Sequence, residues 1–213
     1  MPDRHGSPTL LDLIAEIEDD IGRADLNAQV RTAISRAIRH HQSERLHFNE
    51  RTLVFVTTPG VDTYARGDLG EIADIYAVDT LVLIENDQPW PLHRAPESSI
   101  ERRQDASDQS RPCRFSFFDR SIRLDPVPDA AYTLRLSGHV KTPGPAADGD
   151  TSPWVDDAGT LIAAWAKRHL AQNVLRDPVL AQIQDGAVRS AFNELRGRAN
   201  RAASADQIRA WTL

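Results

Sequence analysis

The sequence predicts an α+β protein: both ends of the chain close into one antiparallel helical bundle, a β-rich insert fills the middle, and an extended tail follows. Three observations predict it. Apolar residues recur at three- and four-residue steps before residue 50 and again after residue 150, as one face of a helix requires. Between these stretches the pattern alternates with period two, the signature of half-buried strands. Each helical stretch carries an apolar stripe with no local partner, so the two ends must meet across the insert. The division is therefore 1–50 and 151–198 for the bundle, 51–150 for the insert and 199–213 for the tail.

Taken in order, Thr9 caps a first helix, with Asp12 at the capping-box position and Leu10, Leu11, Ile14, Ile17 and Ile21 on its buried side. Its other side is acidic, through Glu16, Glu18, Asp19 and Asp20, and Gly22 ends it. Asp25 caps a second helix. There Val30, Ile34, Ala37, Ile38 and His41 share a face, while Arg31, Ser35, Arg39 and Gln42 look outward. The short connection makes a helical hairpin.

Leu53, Val54, Phe55, Val56 and Thr57 then form a strand closed by the turn signal Thr58, Pro59 and Gly60. The stretch 72–84 reads as one or two strands, and Trp90 and Leu92 alternate with prolines as an edge strand does. Ser98 with Glu101 starts a short helix. Phe115 and Phe117, a turn at Asp119 and Arg120, then Ile122 and Leu124 describe a hairpin. Tyr132, Leu134, Leu136, Gly138 and Val140 set against Thr133, Arg135, Ser137 and His139 is the cleanest alternation in the chain. After a Pro- and Gly-rich return, Leu161, Ile162, Trp165, Ala166 and His169 line one side of a helix. Asp177 and Pro178 break it and cap the next, whose face is Leu180, Ile183, Ala187, Val188, Ala191 and Leu195.

Composition excludes several classes. The chain has 213 residues and a net charge of −6, which argues against a general nucleic-acid binder. A single cysteine, Cys113, removes any intrachain disulfide and any cysteine-built zinc site. No signal peptide and no membrane-spanning apolar run is expected.

Reaction chemistry finds little support. His40, His41 and His47 are the densest set of metal-ligating side chains, but no HExxH and no acid at working spacing accompany them. No G-x-S-x-G elbow or phosphate loop is present. Cys113 between Arg111 and Arg114 lacks a partner base. The expectation is a protein that is not an enzyme and needs no cofactor and no metal. Three readings remain: a structural ring subunit; a β module on a helical stalk, such as a tail or baseplate accessory binding glycan or protein through Trp90, Phe115 and Tyr132; and a small hydrolase with an unrecognised site.

A resemblance separates them. The element order, the run Arg51, Leu53 and Phe55 opening the insert, the segment Asp87, Gln88, Pro89, Trp90, Pro91 and Leu92, and Trp154, Ala158, Ile162 and Trp165 on the return helix resemble the adaptor proteins of tailed bacteriophages. These are also called head–tail connector or head-completion proteins. The likeness covers roughly residues 10–195. The family often has a proline opening the next strand of the insert, which the run Arg66 to Ile72 here lacks.

The resemblance implies a structural virion protein at the head–tail junction, assembled in the bacterial host cytoplasm. It implies a homo-oligomeric ring, a dodecamer, that docks on the portal protein above and on tail or nozzle proteins below. Genomic DNA passes through its lumen without sequence-specific binding, and no membrane is involved. It also implies that the C-terminal tail reaches the portal, which places Ile208, Trp211 and Leu213 as apolar anchors and Arg201 and Arg209 as charged contacts. A ring needs one patch to meet a different patch on the next copy. The acidic set Glu16, Glu18, Asp19 and Asp20 and the basic set Arg189, Arg196 and Arg198, with Arg201 beyond, are candidates for that contact. They equally suit pairing within one subunit.

Overall fold

The structure, a computed structural model, describes residues 7–65, 75–102 and 109–204. The chain divides into two compact units, one from residues 1–48 with 142–213 and one from residues 49–141.

The first unit is helical. Helix α1 (Leu10–Ile21) opens with a complete capping box: Asp12 N donates to Thr9 Oγ1, and Thr9 N donates to Asp12 Oδ2 at 2.8 Å. Gly22 closes it at φ 64°, a left-handed conformation that a side chain would strain. Leu10, Leu13, Ile14 and Ile17 are its buried face. Leu11, expected inside, is 50% exposed, because at about 100° per residue it falls outside the arc that those four span.

A 3₁₀ turn, Ala24–Leu26, precedes α2 (Asn27–His41). The Asp25 carboxylate binds Arg23 at 2.7 and 2.8 Å and so caps nothing, contrary to the expectation. Val30, Ala33, Ile34, Ala37, Ile38 and His41 face the core. Gln42, expected outward, is buried and donates to the carbonyl of Thr142 at 2.9 Å. The indole N–H of Trp154, in the short helix α4 (Pro153–Asp156), donates to the same carbonyl at 2.9 Å. The Trp154 ring meets Phe48 edge-on at 5.0 Å.

Helix α5 (Gly159–Leu170) is the centre of this unit. Leu161 to Ala166 are six consecutive buried residues, and α1, α2 and the last helix of the chain all pack on it. A helix buried all round cannot show a single stripe, so its periodicity understates its burial. One π turn, Ala171–Leu175, and a left-handed Arg176 at φ 55° redirect the chain. Asp177 Oδ1 then accepts from the backbone of Val179 and Leu180, both at 3.0 Å, and starts α6 (Pro178–Ser204).

The buried line of α6 is Ala181, Val188, Leu195 and Ala199. The expected face is therefore split: Val188 and Leu195 turn inward, while Ile183 is 62% exposed and Ala187 is also exposed. Helix α6 also continues through 199–204, the start of the segment expected to be an extended tail. Ala199 is buried, and that burial carries the helix past the expected boundary.

The second unit holds two four-stranded sheets. In the first, β8 (Thr133–Val140) sits between β1 (Glu50–Val56) and β3 (Ile75–Glu85), with β4 (Gln88–Pro91) at the edge. All three pairings are antiparallel; Leu134 lies opposite Phe55 and Leu83, and Leu136 opposite Leu53 and Leu81. In the second sheet β2 (Thr63–Tyr64), β7 (Ser121–Asp125), β6 (Arg114–Phe118) and β5 (His93–Arg94) are neighbours in that order. Phe55, Leu81, Leu83, Leu134 and Leu136 share a core with Tyr64, Phe115, Ile122 and Leu124.

Strand β3 changes register between Ile75 and Ala77 and again between Val78 and Thr80. There the backbone closes on Gly138 so tightly that a Cβ would lie 2.3 Å from the Ala77 carbonyl oxygen. A short helix, α3 (Glu97–Glu101), begins at Pro96 with no side-chain cap, so Ser98 does not start it. Glu97 instead accepts from Ser116 and, at 3.0 Å, from Arg123, which also binds Asp62 at 2.9 Å.

Candidate interaction surfaces

The acidic outer side of α1 carries Glu16 and Asp19, both exposed. Asp20 is held within the chain, 2.5 Å from the Lys167 ammonium of α5. Glu18 is half-buried, and its Oε1 is shielded without a hydrogen-bond partner among the described residues. On α6, Arg189 is well exposed yet lies 2.5 Å from Asp185, which also binds Arg168 at 2.9 Å. The Arg168 hydrogen bond, with the positive charge of Arg189 beside it, holds the Asp185 carboxyl below the usual carboxylate range. Arg198 pairs with Glu194 at 2.6 Å, one turn away, and Arg196 lies over the Phe192 ring at 5.5 Å. Asp20, Arg189 and Arg198 thus have partners in their own subunit, and such exposed pairs contribute little to stability. Of the tail candidates, Arg201 is described only as part of the α6 backbone, and Ile208, Arg209, Trp211 and Leu213 lie outside the described residues.

Where α2, α5 and α6 meet, histidines and aromatic rings interleave. His41 is buried between His40, at 4.8 Å, and Phe192, at 5.4 Å. Burial, with His40 and Arg168 nearby, pushes its pKa down to about 4. His169 stacks on Trp165 at 5.4 Å with an interplanar angle of 10°, and its Nε2 lies 2.9 Å from Arg36 Nη1. An arginine only donates, so that ring nitrogen is the acceptor and the imidazole is neutral there. Burial and the charge of Arg36 lower the His169 pKa in keeping with this.

His47 stands apart from this cluster, 3.5 Å from Asp157. The three histidines singled out from the sequence therefore do not converge. Among the described residues no group of three His, Cys, Asp or Glu side chains is arranged to hold a metal ion.

In the sheet unit, His139 is buried beside Asp79, at 3.0 Å, and Glu50, at 3.8 Å. The two arginines flanking Cys113 have carboxylate partners: Arg111 lies 2.8 Å from Glu85, and Arg114 pairs with Asp125. The aromatic platform expected of a β module does not form. Trp90 is 47% exposed with Arg111 over its ring at 4.7 Å, but Phe115 is buried in the core. The alternation around Phe115 places it on a strand without saying which face of that strand is covered.

Fold and surfaces together describe a protein of docking faces: paired charges on a helical unit, exposed aliphatic side chains, and histidines used in packing. No helix among the described residues is long and apolar enough to cross a membrane. The chain matches the profile of the family described as SU10 adaptor protein over residues 8–210, and it belongs to that family. It is a phage structural adaptor protein. No curated protein matches it.

Sequence periodicity misplaces Leu11 and Ile183 and passes over Val179; these three apolar side chains are 50%, 62% and 67% exposed. A heptad reading of α6 through Ala181, Val188 and Leu195 is the signal that separates its buried line from its exposed one.

Proposed function

We propose that this adaptor forms a homo-oligomeric ring, a dodecamer, that docks on the portal protein and joins head to tail at the head–tail junction of the virion. Family membership over residues 8–210 is the observation that carries this reading. The helical unit supplies the ring contacts, with Glu16, Glu18, Asp19 and Asp20 of one copy facing Arg189, Arg196 and Arg198 of the next. The sheet unit faces neighbours or the tail and nozzle proteins, and genomic DNA passes through the lumen on loose, sequence-independent phosphate contacts. Assembly takes place in the host cytoplasm and needs no catalysis.

The C-terminal segment anchors on the portal through Arg201, Ile208, Arg209, Trp211 and Leu213, aromatic and arginine side chains being the types that dominate interface energetics. Removing residues 205–213 leaves the buried residues of α6 in place. The truncated chain is expected to fold and to bind purified portal at least tenfold more weakly, a loss of about 1.4 kcal/mol. Undiminished binding refutes the anchoring role.

A further inference from the structure

Helix α6 has two apolar sides. Ala181, Val188 and Leu195 turn into the core, while Val179, Ile183 and Ala187 face water on the opposite side. At about 100° per residue, Val179 and Ile183 lie within about 40° of one another, and the buried line lies about 180° away. Two β-branched aliphatic side chains exposed one turn apart, rimmed by polar residues, mark a face that another surface covers. The rim of this face is basic. Arg189 is well exposed, and Arg196 meets no carboxylate among the described residues.

The chain carries a counterpart. The outer side of α1 presents Leu11 and Ala15, flanked by Glu16 and Asp19. These two carboxylates have no partner among the described residues. The spacings agree. Leu11 and Asp19 are eight residues apart, about 12 Å along a helix, and Ile183 and Arg189 are six apart, about 9 Å, a difference that an arginine side chain spans. Both faces point away from the core that α1 and α6 share, so they are free to meet on different copies.

We propose that α6 of one copy receives α1 of the next. Leu11 packs on Val179 and Ile183, Ala15 lies against Ala187, and Glu16 and Asp19 face Arg189 and Arg196. Because the two faces differ, the contact is heterologous and propagates in one direction until it closes. This rests on the ring reading above and names the partner surface that reading requires.

The chain has a single native cysteine, which makes the test direct. In a Cys113→Ser background, Ala15→Cys and Ala187→Cys are introduced together and singly, assembled alone and with purified portal, and oxidised. The double variant is expected to give a ladder of covalent multimers on a non-reducing gel, since a disulfide forms only where Cα atoms approach within about 7 Å. Each single variant should give none. Ile183→Glu, at an exposed site, should keep its circular dichroism and associate at least tenfold more weakly. Oligomers of normal mass that do not cross-link, and that survive Ile183→Glu, overturn the α1–α6 contact and leave the ring standing. A wild-type chain that stays monomeric with and without portal overturns both.

Discussion

Acid should loosen the helical unit through His41, and the size of the effect follows from the structure. His41 is buried against Phe192 and His40, and its Nε2 has no hydrogen-bond partner among the described residues. Burial first, then the neighbouring charges of His40 and Arg168, lower its pKa from the ordinary 6.5 to about 4. The folded pKa lies below the unfolded one, so the unfolded chain takes up the proton first as pH falls. The stability held by neutral His41 is therefore complete above pH 6.5, declines below it, and is gone below about pH 4. Between pH 8 and pH 5 the linkage amounts to about 2 kcal/mol, since each tenfold difference in proton affinity between the two states is worth about 1.4 kcal/mol. His169, lowered by burial and by Arg36, acts in the same direction.

The perturbation that isolates His41 is His41→Phe, which keeps an aromatic ring against Phe192 and removes both the titration and the unsatisfied nitrogen. Urea unfolding followed by tryptophan fluorescence, which reports on Trp154 and Trp165 in this unit, at pH 8 and pH 5 measures the difference. The wild type should lose about 2 kcal/mol more than the variant between the two pH values. Equal losses would mean that His41 is hydrated in solution and that the reasoning from its burial fails.

Three further outcomes follow. Gly138→Ala drives a methyl group to 2.3 Å from the Ala77 carbonyl oxygen, so β3 and β8 must separate locally; a loss of about 2 kcal/mol or more in chemical unfolding is expected. Trp154→Phe leaves a cavity and removes one of the two donors to the Thr142 carbonyl. It should cost about 2–3 kcal/mol, read from the same urea curves. Deleting residues 205–213 should leave the urea midpoint unchanged while portal binding weakens, measured by surface plasmon resonance.

Much of the fold was legible wherever one local rule governed. Thr9 and Asp12 form their capping box, Asp177 caps α6, and the alternation from Leu134 to Gly138 is a central strand, because each depends on neighbours in sequence. Where burial depends on distant elements, local pattern misled. Leu11 and Leu13 differ only in which arc of α1 is covered, and Gln42 turns inward to a carbonyl a hundred residues away. The apolar residues of α6 suggest one stripe, although Val188 and Ile183 sit on different sides.

The candidate surfaces divide in the same way. Charge runs on α1 and α6 are visible as composition, but only coordinates reveal that Lys167 engages Asp20 and that Asp185 bridges Arg168 and Arg189. Phe115 and Trp90 alternate with polar or proline neighbours in the same manner, yet one is core and the other lies on an edge strand, since sheet order is a tertiary property.

The central claim is assembly, and the mass of the complex tests it most directly. Purified chain mixed with assembled portal, weighed by mass photometry and imaged in negative stain, should give a portal carrying one added ring with the portal's symmetry. Chain that remains at its monomer mass of 23.7 kDa beside an unaltered portal would contradict the account.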